Sequence, residues 1–145
     1  MVSWLKRLKR AGWQVEHQIY VDALRRLGCP YAVIGGFAVA YHGHIRATID
    51  LDILVGDIVL AEEAFADLDV DASGLIGDRW THIPVEDVDF DIFTEIPGVE
   101  ALDAFADAQN GFLSLDHLIA AKHAAGRYQD LADLEVLQRK EKGRS

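Results

Sequence analysis

Between Ile49 and Val55 two aspartates, Asp50 and Asp52, interrupt a run that is otherwise Ile, Leu and Val. Aspartate is among the residues that strands tolerate least, whereas the apolar neighbours are those of a buried strand. Residues i and i+2 of a strand share a face and lie about 7 Å apart, so both carboxylates point the same way. Two anions on one face cost stability unless a cation or ligand takes up the charge. The chain must therefore keep that face accessible while the opposite face joins a core. Upstream, Gly35-Gly36 follows a second apolar run and precedes a helix-compatible segment. Glycines let the backbone turn sharply and approach a ligand with no Cβ in the way, and the first N–H groups of a helix favour phosphate oxygens. A glycine turn beside paired carboxylates suits a metal-bound triphosphate.

The 145 residues suffice for one domain and are few for two. No apolar run approaches the roughly 18–20 residues that span a bilayer, and the basic N-terminus lacks the apolar core of a secretory signal. The single cysteine, Cys29, excludes an internal disulfide and suits a reducing cytoplasm; after Leu27-Gly28 and before Pro30 it reads as a packed small hydrophobe. Charge is unevenly placed. Eight of the 14 basic residues lie in residues 1–10 and 136–145, and the body between them carries six against 23 acids, a balance of −17. Such a body repels phosphate backbones unless divalent metal neutralises part of it. The basic ends are either solvated tails or contacts for nucleic acid or an acidic partner.

Hydrophobic periodicity predicts a short basic amphipathic segment at 3–10 and a helix over 13–27 ending near Gly28. A strand follows at 31–34, then a helix at 37–42 closed by Gly43. The acid-bearing strand is expected over 47–55, a helix over 58–68 and a loop from Asp71 to Gly77. Strands are expected at 79–85 and 87–93, a turn at Pro97-Gly98, and helices at 99–108, from an N-cap at Ser114 to Ala125, and over 127–140. The fold class is α/β (α+β): a mixed sheet flanked by helices, in a single domain over 1–145, with the sheet region at about 30–95 and C-terminal helices at about 99–140.

Val88-Asp89-Phe90-Asp91-Ile92-Phe93 alternates acid with apolar, setting Asp89, Asp91 and Phe93 on one face. Beside the first acidic strand, roughly 4.8 Å away, one of these acids would complete a three-carboxylate cluster with Asp50 and Asp52. Such a cluster can bridge two magnesium ions about 3.5–4 Å apart through hard oxygen ligands. Zinc is poorly supported without a cysteine pair. Leu115, Leu118, Ile119 and Lys122 share one helical stripe, so Lys122 faces inward and calls for an anion, either triphosphate or a protein acid such as Asp116 or Glu135. Arg46 and Thr48 are placed to contact phosphate, or Arg46 to pair with a nearby acid. His42 and His44 read as a helix-end cap and a loop histidine, and Trp4, Trp13 and Trp80 as packing residues.

Gly35-Gly36 followed by Arg46-Ala47-Thr48-Ile49-Asp50-Leu51-Asp52 resembles the core signature of the DNA polymerase beta-type nucleotidyltransferase superfamily. More narrowly it resembles the AbiEii-like branch, which includes toxins of bacterial toxin–antitoxin and phage-defence systems. The resemblance continues through Phe90-Asp91-Ile92-Phe93 to Pro97-Gly98, where Asp91 falls at the third family carboxylate. It extends through Leu115–Lys122 and Arg127–Leu134, which are similar to a C-terminal helical pair whose lysine and Arg…Asp…Asp group face the nucleotide. It covers residues 30–138. The superfamily often has serine after Gly-Gly, where this chain has Phe37.

The resemblance implies transfer of a nucleoside monophosphate from a nucleoside triphosphate to a hydroxyl of an RNA (tRNA-like) 3′ end, a protein or a small molecule. It implies two Mg2+ ions, replaceable by Mn2+, on Asp50, Asp52 and Asp91, with Asp50, Asp52, Asp91 and Lys122 catalytic. Gly35, Gly36, Arg46, Thr48, Lys122, Arg127 and Asp130 are the expected nucleotide contacts. Arg127, Asp130 and Asp133 also have the i, i+3, i+6 spacing of a simple helical salt-bridge group. A cognate antitoxin is the expected partner, the cytoplasm the expected location, and no membrane is involved. The competing reading is a catalytically weak or inactive nucleotide-binding or regulatory module of the same fold, which Phe37 and the short chain favour. A magnesium-dependent nuclease also uses carboxylate clusters, but the Gly-Gly turn argues against it.

Overall fold

A computed structural model describes residues 2–75, 79–85 and 88–143. The expected loop end at Gly77, the strand start at Asp87 and the tail residue Arg144 lie outside the described residues.

Two helices open the chain, α1 (Ser3–Ala11) and α2 (Val15–Arg26). Gly12 ends α1 at φ 112°, a conformation that favours glycine. Strand β1 (Tyr31–Ile34) runs directly into α3 (Gly35–Tyr41), two residues earlier than the pattern predicts. Strand β2 (Leu51–Val55) precedes α4 (Ile58–Ala66), whose N-cap Asp57 accepts the Leu60 amide. After a 3-10 turn at Ser73–Leu75 come β3 (Trp80–Ile83), β4 (Phe90–Phe93) and α5 (Ala101–Ala106). Helices α6 (Leu115–Ala125) and α7 (Tyr128–Gly143) form an antiparallel-type hairpin across Gly126, at φ 65°. Ser114 caps α6, its hydroxyl accepting the His117 amide.

Among the described residues the strands form one mixed sheet in the order β1-β2-β4-β3, with β2 and β4 parallel and the other pairs antiparallel. Alternation then divides the faces. Leu51, Ile53, Phe90 and Ile92 are buried on one side; there Tyr20 of α2 and Phe65 of α4 pack on Phe90, with ring centroids 4.2 and 5.7 Å away. Asp52, Asp91 and Phe93 turn to the other face, which α6 and α7 partly cover.

The expected strand over 47–55 begins only at Leu51. The Thr48 amide donates to Ala11 O (3.0 Å) and the His17 ring meets Ile49 O (3.4 Å), so α1 and α2 take the backbone groups that a sheet partner would need. Residues 44–50 form an irregular arm, and Asp50 lies on it rather than in the sheet.

Candidate functional site

The parallel register sets Asp52 directly opposite Asp91. Burial and then the adjacent Asp91 carboxylate raise the Asp52 carboxyl to about 7, with Asp50 adding to the effect and Lys122 opposing it. Asp50, exposed at the end of the arm, is raised by desolvation and then by Asp91 and Asp89. Asp89 precedes β4, and its carbonyl accepts the Leu51 amide (2.9 Å). Asp91 is the acid that meets Asp52.

Gly35 sits at φ 66°, and a Cβ there would collide with the Asp52 carboxylate. A Cβ at Gly36 would stand 2.6 Å from Thr48 Oγ1. The glycine pair thus admits two of the protein's own functional side chains against the start of α3 as well as leaving room for a ligand. With seven residues, α3 is too short to supply much helix dipole. Phe37 points away from the site, fully buried against Trp13 and His17.

Facing the acids is a cationic wall. Lys122 is buried as its stripe predicts, but its Nζ lies between Asp130 Oδ1 (3.1 Å) and Asp133 Oδ2 (3.0 Å). Neither Asp116 nor Glu135 is its partner; the hairpin at Gly126 brings the paired acids of α7 across to α6. Arg127 Nε reaches Asp130 Oδ2 (2.7 Å), and Arg46 binds Asp133 through Nε (3.1 Å) and Nη2 (3.0 Å). Gln129 donates to Asp133, and His44 stands 3.5 Å from the same carboxylate. Burial alone would raise Asp130 and Asp133, yet hydrogen bonds from Arg127, Lys122 and Arg46 outweigh it and hold both below the usual carboxylate range. Arg127–Asp130 is the i,i+3 pair of the helical spacing, and Lys122 and Arg46 extend it to Asp133 as a network across elements. Three fixed cations meet two acids, which leaves one positive charge in excess beside Asp52.

A cleft of about 480 Å³ lies between these walls, lined by Gly35, Gly36, Arg46, Thr48, Asp50, Asp52, Lys122, Arg127 and Asp130 among others. An apolar slot of about 260 Å³ adjoins it, sharing Asp52 and Lys122 and extending to Phe93, Ile96 and Leu118. Every expected nucleotide contact lines the cleft, and Asp91 lies just beyond it through Asp52.

The carboxylates suit a hard divalent cation: Asp52 and Asp91 supply oxygen donors whose mutual repulsion a dication would relieve. Asp50 is near enough for its charge to act on Asp52 as well. Among the described residues no group of three or more His, Cys, Asp or Glu side chains is close enough to hold a metal ion as it stands. Asp50 reaches the same cleft from the arm outside the sheet.

The sequence reading missed Trp80 and His82. Trp80 is not a packing residue: it is 52% exposed, and its Nε1–H donates to Asp91 Oδ1 (3.1 Å). His82 Nδ1 meets the same oxygen at 2.8 Å. The spacing Trp-x-His on a strand next to the acidic one was the available signal. Asp133, Gln129 and His44 meet only in the folded chain, so their spacing in the sequence gives no sign of it.

No protein-family model matches the chain, and no curated protein matches it. Among the described residues no helix is long and apolar enough to cross a membrane.

Proposed function

We propose that the chain is a metal-dependent nucleotidyltransferase of the DNA polymerase beta type, in the AbiEii-like branch. The observation that carries this reading is the Asp52–Asp91 pair, set against Gly35 and across a phosphate-sized cleft from Lys122, Arg46 and Arg127. Few ligands other than a cation-bound polyphosphate satisfy both walls at once.

When bound, magnesium would polarise phosphoryl oxygens and lower the pKa of the attacking hydroxyl; Asp52 and Asp91, joined by Asp50 if the arm closes, would hold it. The chain's own residues do the rest. The Gly35–Gly36 backbone lets phosphate approach, and the Thr48 hydroxyl beside Gly36 supplies the contact that Phe37 does not. Arg46 Nη1, left over from the Asp133 fork, and Arg127 face the phosphate oxygens. The acceptor oxygen bonds to the α-phosphorus in line with the bond to the bridging oxygen, which breaks, and pyrophosphate leaves with that electron pair. The acceptor proton passes to a carboxylate oxygen of Asp91.

An RNA end is the acceptor best supported. Arg7 of α1 donates to Tyr41 O (2.9 and 2.7 Å), and Lys140 Nζ of α7 lies 3.1 Å from the Cβ position of Gly43, so the two basic ends meet at the end of α3. Ala11, next to exposed Arg10 in the helix that also carries exposed Lys6 and Lys9, accepts the amide of the cleft residue Thr48 (3.0 Å). A toxin role with a cognate antitoxin is part of the same proposal.

The test is incubation with each radiolabelled triphosphate, Mg2+ and total RNA or lysate. Label transferred to RNA, and lost in Asp50→Ala and Asp52→Ala, supports the enzyme. Triphosphate binding without transfer to any acceptor supports instead the regulatory module, which the saturation of Lys122 by two protein carboxylates favours.

A further inference from the structure

We propose that His82 and Trp80 are positioning residues for Asp91, an inference that rests on the phosphoryl-transfer reading above. Two like charges directly opposite on neighbouring strands repel, and Asp91, only 15% exposed, stands opposite Asp52. Left to itself the Asp91 side chain would swing away from its neighbour. The edge strand β3 prevents this. Its register pairs His82 with Asp91 and Trp80 with Phe93, so both β3 side chains stand on the acidic face. The His82 Nδ1–H (2.8 Å) and the Trp80 Nε1–H (3.1 Å) converge on one oxygen, Oδ1. Oδ2 is left to face Asp52 and whatever cation the pair shares. The imidazole donates from Nδ1 in its Nδ1–H neutral form and in its charged form alike, so the device does not depend on the charge of the ring.

This accounts for a tryptophan that packing leaves unexplained. Trp80 lies at the sheet edge with half its surface in solvent and its ring centroid 6.5 Å from that of Phe93. A ring so placed adds little to a core, but its N–H is rigid and of fixed reach. Partners that orient a metal-binding side chain typically carry about 10–100-fold in cation affinity.

The test is Mn2+ titration of the full chain, followed by calorimetry and by electron paramagnetic resonance of free Mn2+, without nucleotide or turnover. His82→Ala is expected to weaken Mn2+ binding about 10-fold, Trp80→Phe several-fold, and the double variant more than either. His82→Asn, whose amide can donate in place of Nδ1–H, restores most of the affinity. Because both side chains are exposed, the thermal midpoint of each metal-free variant stays near that of the wild type. Equal Mn2+ affinity in wild type and His82→Ala overturns this inference while leaving the transferase reading intact. So does a loss that His82→Asn fails to rescue. A wild-type protein that binds no Mn2+ overturns both.

Discussion

Asp52 is the residue whose environment is least comfortable, and its discomfort is measurable. Its carboxyl is raised to about 7 in the fold and lies near 3.9 in an unfolded chain. A proton therefore favours the folded state, and that contribution is full below about pH 4 and lost as pH rises through about 7. Metal-free protein at pH 8 carries the penalty of the ionised pair, so Asp52→Asn should raise its melting temperature, by about 4 °C for each kcal/mol recovered. The gain should vanish at pH 4, as checked by scanning calorimetry at both pH values in chelator. Mg2+ should stabilise the wild type at pH 8 and the variant much less. An acid flanked by Leu51 and Ile53 is visible to anyone reading the chain, and so is Asp91. Trp80 and His82 were not, because tryptophan has an ordinary role in packing and only strand register reveals which carboxylate its N–H meets.

Among the elements, α6 and α7 show how a wall of the cleft is made. Lys122 is buried, with Asp130 and Asp133 buried against it. Removing one partner of a buried ion pair strands the other. Lys122→Met should thus cost about 3 kcal/mol in urea unfolding, although Met fills the same volume. Triphosphate affinity should fall as well, measured at a urea-free temperature where the variant is folded. The helices themselves were legible from the Ser114 cap, the Gly126 stop and the apolar stripe between them. Strand ends were less so. The 47–55 run reads as one strand, yet its first four residues lie outside the sheet, where Ala11 and His17, from distant segments, bond to Thr48 and Ile49. Periodicity reports which residues suit a strand; it carries nothing about competition for their backbone groups.

At the scale of the whole molecule, charge is sorted by the fold. The body is strongly acidic, yet Arg7 and Lys140, one from each basic end, come together at Tyr41 and Gly43. Lys6→Glu, Lys9→Glu and Arg10→Glu combined should weaken RNA binding by at least 10-fold and flatten its salt dependence by about two to three counterions. Triphosphate affinity should change little, since none of the three lines the cleft. Filter binding across a salt series, beside a nucleotide titration, checks both. The uneven charge was plain in the amino-acid order, but the meeting of the two ends was not.

The tie between Arg46 and Asp133 joins positions 87 apart, among the longest spans the fold closes. During synthesis Arg46, Asp52 and Asp91 have emerged long before Lys122, Arg127 and Asp133 exist, and contacts of such separation form late. A polypeptide that stops before α7 lacks Arg127 and Asp130 as well as the Arg46 tie, and with them one side of the cleft.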